Sequence, residues 1–208
     1  MACYPSIAMA AAASLELTVP PPEQRMLLRS VSWKEYVLLR DVLDGPGVRM
    51  TYLGGILELM SPSPAHELWK TNIARLVELF AHVRGIELHG YGSTTFKSEV
   101  KQRGAEPDEC YLIGKKLSDY PEIVLEVIHT TPLVDKLDVY RAFGVSEVWL
   151  FKNGTFTLHV LDETKTRYEL RPNSRLVPGL DLEMVARFAL REDTPQALRE
   201  FDAQIRQR

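Results

Sequence analysis

The stretch LEVIHTTPLVDKLDVYRAFGVSEVWLF, residues 125 to 151, reads as strand, helix, strand, and the fold turns on how its charges are placed. In the first strand Val124, Leu125, Val127 and Ile128 surround Glu126 on both pleat faces, so the carboxylate has apolar neighbours whichever face looks inward. An isolated buried carboxylate is costly to desolvate; it protonates, finds a cation or coordinates a metal. The helix expected from about Pro132 to Phe143, ended by Gly144, offers a partner. On a helical wheel Lys136 falls between Tyr140 and Phe143 and near Leu133, whereas Asp135, Asp138 and Ala142 take the other side. A lysine thus occupies the face that should be buried, in a first turn where the helix dipole disfavours a cation. Either its stem covers core while its ammonium reaches water, or it meets Glu126.

Working outward, Ser32-Trp33-Lys34-Glu35 has capping-box spacing and starts a helix to about Val42, stopped by Asp44-Gly45-Pro46-Gly47. VRMTYLGGILELM follows as two strands turning at Gly54-Gly55. From about Ala65 to Arg84, Trp69, Ile73, Leu76, Val77, Phe80 and Val83 share one face of the longest amphipathic helix. Strands are expected around 86–99, 108–113 and 122–128, then in VSEVWLF, TFTLHVL and TRYELR, with closing helices around 181–190 and 195–207. No repeat or inner linker breaks residues 25–208, which read as one α+β domain.

Residues 1–24 contain an alanine-rich patch, but no positively charged segment precedes it and PPP follows. A flexible tail is expected there rather than a signal peptide. The 208 residues suit a single core, and 45% hydrophobic with 25% charged residues and no long apolar run describe a soluble, non-membrane protein. A net charge of −3 argues against a strongly basic nucleic-acid binder while allowing a basic lining around one cleft. Cys3 and Cys110 form neither a disulfide framework nor a zinc spacing, which fits a reducing cytoplasm.

Two further acids demand attention. Asp108, after Pro107, is by itself a turn residue, but a short connection from Gly114 to Pro121 lets its strand pair with that of Glu126, and two carboxylates with a backbone carbonyl and waters suit Mg²⁺. Glu58 in GILELM repeats the puzzle of Glu126: it is either an edge-strand residue facing solvent or a third acid of the site. His66, at the flank of its helix's apolar face, reads as a polar boundary residue rather than a catalytic one. Lys97, Lys101, Arg103 and Lys115-Lys116 form a basic cluster around Asp108, suited either to a solvated surface or to phosphates.

Pro107-Asp108 and Glu126 resemble the PD-(D/E)xK nuclease superfamily, whose core carries Asp on one strand and Glu-x-Lys on the next. The position two after Glu126 is Ile128, which departs from that pattern. The run from Leu125 to Phe151 resembles a large bacterial family of restriction-endonuclease-like proteins in which the lysine has moved to the following helix. Lys136, Tyr140 and Gly144-Val145-Ser146-Glu147-Val148-Trp149 carry that likeness. Gly55 to Pro62 and His66 resemble the family's N-terminal signature, so the similarity covers roughly residues 30–190. The resemblance implies a restriction-endonuclease-like mixed β-sheet core flanked by helices, with an N-terminal helix and β-hairpin. It further implies a metal-dependent endonuclease hydrolysing DNA phosphodiester bonds by a metal-activated water, with Asp108, Glu126 and the Val127 carbonyl binding Mg²⁺, or Mn²⁺ in its place. Lys136 would orient or deprotonate the water, Glu58 would bind metal through water or assist with protons, and a homodimer would address both strands. The other reading is a nuclease-like binding or scaffolding protein without cleavage, in which Lys136 and Glu126 are a structural ion pair.

Overall fold

The chain, described here from a computed structural model over residues 23–45, 47–114 and 118–207, opens with strand β1 (Gln24–Arg29) and helix α1 (Trp33–Val42). Both halves of the capping box form: Ser32 Oγ accepts from Glu35 N–H at 3.3 Å, and the Glu35 carboxylate accepts from Ser32 N–H at 2.7 Å. Strands β2 (Arg49–Leu53) and β3 (Ile56–Ser61) make the expected hairpin. Its corner needs left-handed backbone at two successive residues, φ 51° at Gly54 and 90° at Gly55, which glycine adopts without a Cβ penalty. Helix α2 (Pro64–Arg84) is capped by Ser63 and led by proline.

Four short strands follow, β4 (Leu88–Gly90), β5 (Phe96–Ser98), β6 (Arg103–Ala105) and β7 (Glu109–Ile113), then β8 (Ile123–Ile128), helix α3 (Lys136–Phe143) and β9 (Glu147–Lys152). Strands β10 (Thr155–Leu161) and β11 (Tyr168–Arg171) and helices α4 (Leu182–Ala189) and α5 (Thr194–Gln207) complete the described chain. One sheet has the order β1-β3-β2-β6-β5, the other β11-β10-β9-β8-β7-β4. In the second, β8 and β9 run parallel and are joined across α3, while its other pairs are antiparallel.

Period-two alternation in β8 assigns its two faces. Ile123, Leu125 and Val127 pack with α2, α4 and α5 in the larger core, whereas Val124 joins Val139, Tyr140 and Phe143 of α3. Glu126 shares the Val124 face and therefore looks toward α3. A third cluster packs α1 on the first sheet, where Tyr36 stacks on Tyr52 at 4.8 Å between centroids. This contact requires Gly104, since a Cβ there would stand 2.2 Å from the Tyr36 hydroxyl oxygen. Among the described residues no helix is long and apolar enough to cross a membrane.

Three details differ from the sequence reading. QRMLLR forms β1, whose pairing with β3 makes β3 an interior strand. The stretch 86–99 is divided between β4 and β5, which belong to different sheets. Helix α3 begins at Lys136 with Asp135 as its cap, so 129–135 is a loop rather than a first helical turn.

Candidate active site

Continuing the β7–β8 register past Glu109↔Leu125 sets Asp108 opposite Glu126. Both are buried, and Asp108 Oδ2 accepts the Val127 N–H at 2.8 Å. Lys136, first residue of α3, reaches back over the strand end, placing Nζ 2.7 Å from Glu126 Oε2. One turn later on the same face, Tyr140 donates its hydroxyl to Glu126 Oε1. The lysine does not snorkel: it is 8% exposed.

Sequence reasoning missed the layer behind these residues. His66, read as a boundary residue, is fully buried because it stands near the start of α2 against β7 and the chain before β1. Its Nδ1 lies 2.8 Å from Glu23 Oε2, and its Nε2 lies 2.9 Å from Asp108 Oδ1. The second contact is off line for a hydrogen bond, and both atoms are buried without one. Glu23 also accepts from the N–H and hydroxyl of Thr130 and from Arg25. Arg25 donates in turn to Glu58, whose other oxygen accepts the Leu133 N–H. Glu58 is therefore neither at an edge nor in solvent. It clamps the loop joining Glu126 to Lys136, and no contact links it directly to Asp108 or Glu126. The signal that pointed toward this layer was the resemblance of His66, and of the Gly55–Pro62 run that holds Glu58, to the family's N-terminal signature.

The electrostatics follow from burying four acids, Glu23, Glu58, Asp108 and Glu126, with three bases, Arg25, His66 and Lys136. Burial pushes the Asp108 carboxyl up, but His66, Lys136 and the Val127 N–H together hold it below the usual range. For Glu126, burial together with the Asp108 charge outweighs Lys136 and leaves the carboxyl raised. Burial would lower the Lys136 ammonium, yet two facing carboxylates keep it raised and charged. Glu23, lifted by burial, is pulled to about 2 by His66, Thr130 and Arg25. His66, lowered by burial, is carried to about 9 by Asp108 and Glu23.

A family model described as "Uma2: Putative restriction endonuclease" matches residues 33–193, well over half of the chain. The chain belongs to the Uma2 family. Among solved structures it is similar to one described as "a putative nuclease belonging to DUF820 from Anabaena variabilis", at 11% identity and a TM-score of 0.47, over 81% of this chain and 97% of that one. No curated protein matches the chain. Uma2 proteins are restriction-endonuclease-like, and such nucleases generally use divalent metals.

In this Uma2 chain the segment from Gly144 to Trp149 builds the fold rather than the site. Gly144 caps α3 in the left-handed region at φ 78°. Buried Glu147 accepts from Trp149 Nε1 at 2.9 Å, Ser174 Oγ at 2.7 Å and the N–H groups of Arg175 and Leu176, tying β9 to the turn before α4. In the basic cluster, Arg103 is paired with Asp138 at 2.9 Å and Lys101 lies 4.8 Å over the Tyr120 ring, while Lys97 is exposed. Lys115 and Lys116 lie outside the described residues.

A divalent ion fits the donors in type. Asp108 Oδ1 is a buried hard oxygen without a hydrogen bond, beside a second carboxylate in a cluster with one surplus acid. Among the described residues no three His, Cys, Asp or Glu side chains converge into a complete cage, because Glu126 is turned toward Lys136 and Tyr140.

Proposed function

We propose that this Uma2 protein is a metal-dependent endonuclease that hydrolyses DNA phosphodiester bonds, with Asp108, Glu126 and the Val127 carbonyl holding Mg²⁺ or Mn²⁺. The observation carrying this reading is the meeting of two buried carboxylates, Asp108 just ahead of β7 and Glu126 within β8, with an ammonium from the next helix, Lys136 Nζ lying 2.7 Å from Glu126. When bound, a divalent ion polarises the scissile phosphate and activates water. Lys136, kept charged by Glu126 and Asp108, stabilises negative charge developing on the phosphate and orients the attacking water. Tyr140 and Lys136 fix the Glu126 carboxylate, and Glu58 sets the loop that aims Lys136. Exposed Lys97 and Lys101, on the β5–β6 hairpin running into Asp108, would grip flanking phosphates. A symmetric homodimer in the cytoplasm would present one such site to each strand.

One observation favours a second reading, a binding or scaffolding protein that does not cleave. Asp108 and Glu126 are each 1% exposed, and a cleft of about 1050 Å³ lies elsewhere, between β10, β11 and α4. In that reading Lys136 and Glu126 are a structural pair. Supercoiled plasmid and single-stranded DNA incubated with Mn²⁺ decide between the two readings. Cleavage by the wild type that disappears in Asp108→Asn, Glu126→Gln and Lys136→Met supports the nuclease. DNA binding without cleavage supports the second reading, and cleavage surviving in all three variants refutes this site. Light scattering at micromolar concentration tests the dimer.

A further inference from the structure

Behind Asp108 stands a group that the two-carboxylate scheme does not use. His66 is fully buried, its Nε2 faces Asp108 Oδ1 at 2.9 Å, and the two atoms stand off line for a hydrogen bond, with no other partner for either. The other ring nitrogen is settled. Glu23 is an ion-paired carboxylate that accepts from Arg25 and from the Thr130 N–H, so Nδ1 carries the hydrogen across the 2.8 Å contact. Nε2 is then the nitrogen facing Asp108, and it coordinates on releasing its proton as the metal binds. A carboxylate fixing one imidazole nitrogen while the other binds metal is a recurrent arrangement, because it sets both tautomer and ring orientation. The spacing agrees as well. Two donors each about 2.1 Å from an ion and at right angles around it are about 3 Å apart, close to the observed 2.9 Å.

We infer that His66 is a direct metal ligand, its Nε2 and Asp108 Oδ1 occupying adjacent positions around one divalent ion, with Glu23 as the positioning residue that orients the ring. The inference rests on the metal-dependent reading above and alters it in one respect: the donor set becomes nitrogen and oxygen rather than oxygen alone. A nitrogen donor weakens selection for Mg²⁺ relative to Mn²⁺ and later transition ions. It also gives β1's flank a part in the site, since Glu23 precedes that strand and reaches both His66 and Thr130.

Mn²⁺ alone is the probe. Pulsed electron paramagnetic resonance on the Mn²⁺-loaded full chain should show a directly bonded nitrogen whose coupling changes when histidine carries ¹⁵N. The same signal should persist in His129→Phe, which keeps an aromatic ring on Trp69, and vanish in His66→Gln. By calorimetry, Glu23→Gln should weaken Mn²⁺ binding roughly 10–100-fold, and His66→Gln by at least as much. Mn²⁺ that binds and is lost in Asp108→Asn, yet shows no histidine nitrogen, overturns the ligand assignment while leaving the nuclease reading intact. Absence of Mn²⁺ binding in the wild type overturns both. The wild-type and His129→Phe spectra keep the test decisive even if His66→Gln fails to fold.

Discussion

Replacing Lys136 by methionine tests what holds the acid pair together. At 2.7 Å the ammonium and Glu126 attract each other by about 6 kcal/mol at an effective dielectric near 20. Taking both groups out of water costs several kcal/mol apiece, so the intact pair contributes little net stability relative to a well-packed apolar replacement. Removing one partner is different. Glu126 would keep only the Tyr140 hydroxyl, with Asp108 still across the register, and losing one member of such a pair costs about 3–5 kcal/mol. Replacing the group as a unit, by Glu126→Leu, Lys136→Met and Tyr140→Phe together, removes the uncompensated charge and should recover most of that loss. Urea unfolding at pH 7 with EDTA, at unchanged m value, measures both. A loss below about 1 kcal/mol for Lys136→Met would mean that water already solvates the ammonium. A triple variant no more stable than the single one would mean that packing, not charge, sets the cost.

His66 gives a pH signature. Its folded pKa of about 9 exceeds the ordinary 6.5, so its stabilisation is complete below pH 6.5 and is lost as pH rises through 9. With EDTA the wild type should lose up to about 3 kcal/mol over that window, and a chain carrying His66→Ala should show a flat profile there. Glu147→Ala strands Trp149 Nε1, Ser174 Oγ and two backbone N–H groups, and is expected to cost on the order of 3 kcal/mol in urea; a cost below 1 would refute its role as a clamp. Gly104→Ala drives a methyl into the Tyr36 ring and should lower stability by about 1–3 kcal/mol, measured as a fall in Tm.

What the sequence revealed and what it hid have separate physical causes. The strand–helix–strand unit with Glu126 and Lys136 was legible because pleat and helix periodicities are local, and a charge on an apolar face stands out against both. Asp108 was legible through strand pairing over a short connection. The Gly54-Gly55 corner and the α1 capping box were read from adjacent residues alone, and they form as read. Contacts between distant segments were not legible. His66 looked peripheral because its wheel position borders the apolar face, and only the approach of Glu23 and Asp108 explains why it is buried. The same approach of β1 turned Glu58 from a candidate edge residue into an interior one. Helix α3 proved shorter than its apolar pattern because Glu23 and Glu58 take the N–H groups of Thr130 and Leu133, holding 129–135 outside the helix.

Glu23 lies one residue ahead of β1, outside any boundary drawn from hydrophobic patterning, yet it fastens both the histidine and the threonine of the connecting loop. Trimming the polypeptide to begin at Arg25 would preserve nearly every strand and helix while releasing the imidazole ring to rotate. Such a shortened protein would look well folded by circular dichroism and yet lack the carboxylate that sets the ring, so Glu23 belongs in any preparation meant for chemistry.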